Sequence, residues 1–291
     1  MHDPSLTGQA TRRYSAHLGY LFTELPLEDR FAAAARAGFA AVEHSNPYSL
    51  PAGRVLELCR GHGLEFLQLA LPGGDAARGD KGLAGVPGRE EEFRDGVEAG
   101  LRYARDVGAR YVHAMAGVLP SGAGRQDVWS TYVANLRHAC EAARAQDTTV
   151  LVEAIGPGTI ARYILNDPAV AVSAVTEVGP GNLAIILDVF HETNAGRDPL
   201  AFLREHRTLV AHVHVADHPG RHEPGTGTID FDGVFSVLDE IGYAGAVGLE
   251  YVPAADTLSG LRWRDSFASV PDISQPISAD TRDHADRETT P

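Results

Sequence analysis

Two cysteines, Cys59 and Cys140, are all that 291 residues contain. Both fall in stretches with helical periodicity, a placement that supplies neither a disulfide framework nor a zinc knuckle, so both are expected to be buried thiols. Basic residues are also scarce: 25 Lys and Arg stand against 39 Asp and Glu, a formal net charge of -14 at pH 7. Binding nucleic acid releases counterions in proportion to the cations engaged, so this acidic balance argues against a nucleic-acid partner and equally against an anionic membrane. An anionic substrate then requires a local positive pocket. No apolar run approaches the roughly 18 residues that span a bilayer, and the opening MHDPSLTGQATRRYS lacks the apolar segment of a secretory signal. A cytoplasmic protein without membrane contact is the expectation.

What the chain does have is a 44% hydrophobic content, arranged as short β-branched or aromatic runs that alternate with longer amphipathic ones. The short runs are RYSAHLGYLF, AAVEHS, LEFLQLAL, RYVHAMAG, TVLVEAIG, LAIILDVFH, VAHVHVADH and AVGLEYVP. Between them lie helical patterns such as LPAGRVLELCRGHG, closed by a Gly just past the last periodic residue. Eight strands with intervening helices predict an α/β protein, a single-domain (β/α)8 TIM barrel over residues 13–270. Residues 1–12 read as a flexible N-terminal tail and 271–291, polar and aperiodic, as a disordered C-terminal one. The Gly-rich stretch at 72–89, PGGDAARGDKGLAGVPGR, is expected to be a lid over the barrel mouth.

Active sites of such barrels form at the C-terminal ends of the strands. The last four strands each carry a polar residue there: Glu153, Asp188, His214 and Glu250, spaced 35, 26 and 36 residues apart, about one βα unit each. Three carboxylates converging with one imidazole repel one another unless a cation joins them. An oxygen-rich set with a single nitrogen suits Mg2+ or Mn2+ better than tetrahedral zinc, and Co2+ also fits. Strand alternation places His212 on the same face as His214 but deeper, as a hydrogen-bonded core residue. Arg221 lies just beyond that strand, where its fork can hold an anionic or hydroxyl-bearing substrate. His191, three residues past Asp188, is a candidate substrate contact, and Asp230 is expected to cap the helix that follows.

The segments LVEAI, LDVFH, HVHVADHPGRHEPGTGTIDF, VGLEYVP and GLRW, with PGREEEFRDGVEAGLRYARDVGA upstream, resemble the hydroxypyruvate isomerase family, one branch of the xylose-isomerase-like barrels. The resemblance runs from about Arg13 to Asp265. It implies one divalent metal ion on Glu153, Asp188, His214 and Glu250, with Glu153 and Glu250 also the proton-transfer pair and His191 and Arg221 touching a small-molecule substrate. The implied reaction is metal-dependent isomerisation of a hydroxypyruvate or 2-oxo-tetronate type of substrate through an ene-diolate. Departures from the family pattern cluster in the substrate wall. Ala154, Ile155 and Gly156 stand where the family has Pro-Ile-Asn, and Leu69 and Ala70 where it has His-Asn. His17 replaces an Asn, His44 an apolar residue, and His214 a Gln that is His in the ketose epimerases. A ketose 3-epimerase is therefore the nearest alternative, ahead of a non-catalytic sugar-binding protein and a repair endonuclease. Barrels of this family often associate, so a homo-oligomer is compatible with the chain.

Overall fold

Alternation along each strand decides what it shows to its two sides. In β6 (Thr149–Glu153), Val150 and Val152 join the large apolar cluster under the helices, while Leu151 belongs to a small one inside the barrel. Glu153 follows Leu151 onto the inner side. A computed structural model describes residues 12–267 of the chain. It repeats this unit from β1 (Tyr14–His17), α1 (Leu27–Arg36), β2 (Ala41–Glu43), α2 (Ala52–His62), β3 (Glu65–Phe66) and β4 (Gln68–Ala70) through α3 (Glu90–Val107), β5 (Tyr111–His113) and α4 (Arg125–Arg144). After β6 come α5 (Pro168–Val178), β7 (Leu183–Asp188), α6 (Val189–Asn194), α7 (Pro199–Glu205), β8 (Val210–Val215), α8 (Phe231–Glu240) and β9 (Val247–Leu249).

Every pairing is parallel, in the order β3-β2-β1-β9-β8-β7-β6-β5-β4. Nine segments make eight staves, because β3 and β4 are two halves of the third strand, divided at Leu67. That residue closes the ring: its N–H donates to Val42 O at 2.8 Å and its carbonyl accepts from Tyr111 N at 3.0 Å. The expected (β/α)8 barrel is thus what the chain forms, and the expected tails fall largely outside the described residues.

Helix boundaries follow local chemistry. Gly63 and Gly108 end α2 and α3 in the left-handed conformation, at φ 68° and 78°, which glycine adopts without a Cβ penalty. Asp230 caps α8, as expected, accepting from Gly233 N. Cys59 and Cys140 are buried. The stretch at 72–89 corrects the expectation of a lid: it is an ordered wall. Arg89 grips Asp80 through two bonds of 2.7 and 2.9 Å, and Ala84 N and Gly85 N donate to Met115 O and Ala116 O. Gly82, at φ 105°, presses so closely on Met115 that a Cβ there would lie 2.2 Å from its carbonyl oxygen. No helix among the described residues is long and apolar enough to cross a membrane.

Candidate active site

The inner faces of the strands gather polar groups that the outer faces exclude. Glu153 ends β6, Asp188 ends β7, His214 lies near the end of β8, and Glu250 follows β9 directly. One donor atom from each comes within 4.8 Å of all the others, and all four residues are buried. The four residues expected from spacing are therefore brought to one place. Asp188 Oδ1 accepts from Phe190 N at 2.8 Å as the cap of α6, which leaves Oδ2 turned to the cluster.

The donor set fits a divalent cation. Glu153 Oε1 and both ring nitrogens of His214 are buried without a hydrogen-bond partner, and unpartnered buried polar atoms cost about 1–3 kcal/mol each. Burial, reinforced by the nearby Glu250 charge, holds the Glu153 carboxyl well above its ordinary value. Burial also opposes the charge on Glu250, but the Arg221 guanidinium, with His214 and His17, outweighs it and lowers this carboxyl to about 2. In this arrangement Arg221 supplies the positive charge that the carboxylates require. Its Nη2 donates to Asp188 Oδ2 at 3.2 Å and to Glu250 Oε2. The guanidinium lies between the Tyr20 and Phe190 rings, 5.0 and 5.3 Å from their centroids, a placement that cation–π attraction favours.

Arg221 gets there by a strained loop. Its φ is 57°, a region that residues with a Cβ rarely occupy, and the loop is tied down by Asp217. That fully buried carboxylate accepts from the backbone N–H groups of His218, Gly225, Gly227 and Ile229 at 2.8–3.1 Å. Gly227 is required there, since a Cβ would sit 2.2 Å from His218 O. His191, on α6, places Nε2 3.4 Å from Asp188 Oδ2, and its Nδ1 meets Thr159 Oγ1 at 3.3 Å. His222 and His218 stay in the loop.

Below the cluster lies a network that spacing did not single out. Glu43, on β2, is fully buried; His212 Nε2 bonds its Oε2 at 2.9 Å, and His214 Nε2 lies 3.2 Å from its Oε1. The His212 bond makes that residue the hydrogen-bonded core group expected. Gly248 makes the space, because a Cβ there would come within 2.4 Å of Glu43 Oε1 and 2.5 Å of the His214 ring. With its Nε2 side facing Glu43, His214 turns Nδ1 to Glu250 Oε2, 3.5 Å away. His17 Nδ1 accepts from Gly19 N, so its Nε2 carries the proton, 3.0 Å from Ser45 Oγ and 3.6 Å from Glu250 Oε1. His113 Nδ1 is 3.7 Å from Glu153 Oε2. Glu153, His214, Glu250, Arg221, His113 and Gln68 are among the residues that line a cavity of about 130 Å3. The signal for Glu43, Gln68 and His113 was the same as for the four cluster residues: a polar side chain near the end of an apolar strand. It was read only in the last four strands.

A barrel of eight parallel staves with an acidic and imidazole cluster at its C-terminal mouth defines a class of small-molecule enzymes. Residues 31–267 match the model of the xylose isomerase-like TIM barrel family. Hydroxypyruvate isomerase from Escherichia coli strain K12 is 37% identical over 255 residues, 88% of this chain and 99% of that protein. The 2-oxo-tetronate isomerase of Haemophilus influenzae is 36% identical over the same shares. The crystal structure of AP endonuclease, family 2, from Brucella melitensis superposes with a TM-score of 0.86 at 35% identity, covering 89% of this chain and 100% of that one. The chain belongs to the xylose isomerase-like TIM barrel family, in its hydroxypyruvate isomerase branch.

Proposed function

We propose that the protein is a divalent-metal-dependent isomerase that interconverts a small α-hydroxy ketone and aldehyde, as an acid or sugar, through an ene-diolate. Substrates of the hydroxypyruvate or 2-oxo-tetronate type are the first candidates, since relatives of those names match along nearly their whole length. The observation that carries the reading is the convergence of Glu153, Asp188, His214 and Glu250 within 4.8 Å beside a small cavity. Those four residues would hold one cation, Mg2+ or Mn2+ by their oxygen-rich chemistry, with Co2+ also suited. When bound, it supplies Lewis-acid polarisation of the carbonyl and its neighbouring hydroxyl.

The chain's own residues do the rest. One of Glu153 and Glu250 takes the proton from the hydroxyl-bearing carbon and a carboxyl of the pair returns it to the adjacent carbon, while the hydroxyl proton passes to the former carbonyl oxygen, so substrate and product carry the same charge. Glu43 fixes the ring of His214, a carboxylate-to-imidazole support of the kind that orients metal-binding histidines. Arg221 and His191 orient the substrate oxygens, and Arg221 is drawn off Asp188 and Glu250 as substrate enters. The buried walls exclude water from the intermediate.

Epimerisation of a ketose at C3 is the second reading. It uses the same intermediate and returns the proton to the opposite face of the same carbon, and it is favoured by His214, which lines the cavity, and by His17 in place of the family's Asn. A DNA substrate fits poorly, because a net charge of -14 offers no basic groove. Incubation with Mg2+ in D2O, followed by NMR, reads the intermediate directly on hydroxypyruvate and on a panel of 2-oxo acids and ketoses. The expected result is deuterium incorporation that a chelator abolishes, and the labelled carbon separates isomerisation from epimerisation. Binding of Mg2+ by calorimetry with no exchange into any of the panel would refute the reading.

A further inference from the structure

Beside the reacting cavity lies a second, larger one of about 460 Å3, and Ser45 and Met115 line both. Its floor is the segment after β2, around Asn46 and Tyr48, and its sides are Ala70 with the glycines of the wall at 72–89. The inner cavity accommodates only a short reacting head. The two together reach the roughly 300–1,000 Å3 of ordinary small-molecule sites. A substrate confined to three carbons leaves the outer cavity without a purpose.

Charge indicates what the outer cavity holds. Asp80 and Lys81 are its charged lining residues, and they differ in what already binds them. Both oxygens of Asp80 are engaged by Arg89, and Oδ2 also accepts from Asp75 N at 2.8 Å. Lys81 is the one lysine in the chain. It has no ion-pair partner among the described residues, in a protein whose acids outnumber its bases 39 to 25. Its backbone is fixed on both sides, by Asp80 through Arg89 and by Gly82 against Met115 O. A cation so mounted is available for an anion from outside the chain.

We propose that this outer cavity is a subsite for the distal end of the substrate, and that this end is anionic, a carboxylate or a phosphate, bound by Lys81. The inference rests on the reading above, in which the inner cavity takes the carbonyl end. It makes the substrate a longer-chain hydroxy-oxo acid or a phosphorylated sugar, held at both ends.

Three inert probes with the same 2-hydroxy acid head test it: gluconate with a neutral far end, glucarate with a carboxylate and 6-phosphogluconate with a phosphate. Calorimetry on the Mg2+-loaded protein is expected to show at least one of the charged-ended probes binding about tenfold more tightly than gluconate. Lys81→Met should erase that ratio and Lys81→Arg should keep most of it, and the probe that gains identifies the anion. Lys81 is exposed, so neither variant threatens the core. Equal affinity for all three probes, no binding of any, or an advantage that survives Lys81→Met overturns the proposal. Deuterium exchange by the wild-type protein reads the inner site separately. Exchange without Lys81-dependent discrimination removes the subsite alone; discrimination without exchange removes the isomerase reading alone.

Discussion

The two halves of the barrel mouth are built on opposite plans. At the ends of β6 to β9 stand three carboxylates, an imidazole and Arg221, and several are placed by a neighbour: Asp188 accepts from Phe190 N, His214 Nε2 lies 3.2 Å from Glu43 Oε1, and Arg221 sits on the loop that Asp217 ties down. At the ends of β1 to β4 one carboxylate, Glu43, is turned inward to His212 and His214, and the other groups are neutral or small, among them His17, Ser45, Gln68 and Ala70, backed by a glycine-rich wall. Charges that converge in a buried space must be fixed and compensated, whereas a wall that only selects shape and end group can be exchanged residue by residue. On the proposed function, the comparison teaches that one half sets the chemistry and the other chooses the molecule.

Breaking the first half should have the largest effect. Glu250→Gln keeps the shape of the side chain but removes a charge and the proposed proton carrier, and turnover is expected to fall by about 10^3-fold or more, with the far-UV circular dichroism unchanged. Near-normal activity in that variant would end the role assigned to Glu250. Asp217→Ala leaves four backbone N–H groups without their buried acceptor. A loss of about 3 kcal/mol in unfolding free energy is expected, together with weaker substrate binding as the Arg221 loop loosens; denaturant titration showing no change would mean that water replaces the carboxylate.

The second half is probed by its own histidine. Burial, with His17 and Arg30 nearby, lowers His44 to about 3 from an ordinary 6.5, and its Nδ1 accepts from Asn46 N at 2.9 Å. The fold therefore favours the neutral ring. That contribution is full above the unfolded value near 6.5 and is lost as pH falls towards 3. Between pH 7 and 5.5 the wild type should lose about 1 kcal/mol more stability than His44→Asn, and identical pH slopes in the two would show that the ring is solvated in the native state.

Much of the chemistry was legible because period-two alternation and βα spacing are local properties. Glu153, Asp188, His214 and Glu250 each close an apolar run, and the distance between runs fixes which staves they end. Glu43 escaped notice although it carries the same signal, because its partner His212 lies 169 residues away and nothing local shows that an inner layer pairs across the barrel. Asp217 was hidden for a related reason: its four donors come from a loop whose path depends on the left-handed positions at Gly220 and Arg221. The wall at 72–89 reads as a free loop in sequence because glycine signals only permissiveness.

By itself, then, the sequence determined eight staves, their inner and outer faces, an acidic net charge, and the four donors at the barrel mouth. These follow from short-range periodicity and composition, which the chain carries wherever it folds. Only the tertiary structure decided that Arg221 neutralises the carboxylates, that Glu43 aims His214, and that a second cavity with Lys81 opens beside the first. Each of those depends on groups distant in sequence meeting at close range inside a closed ring, where low dielectric and tight packing give their contacts consequence.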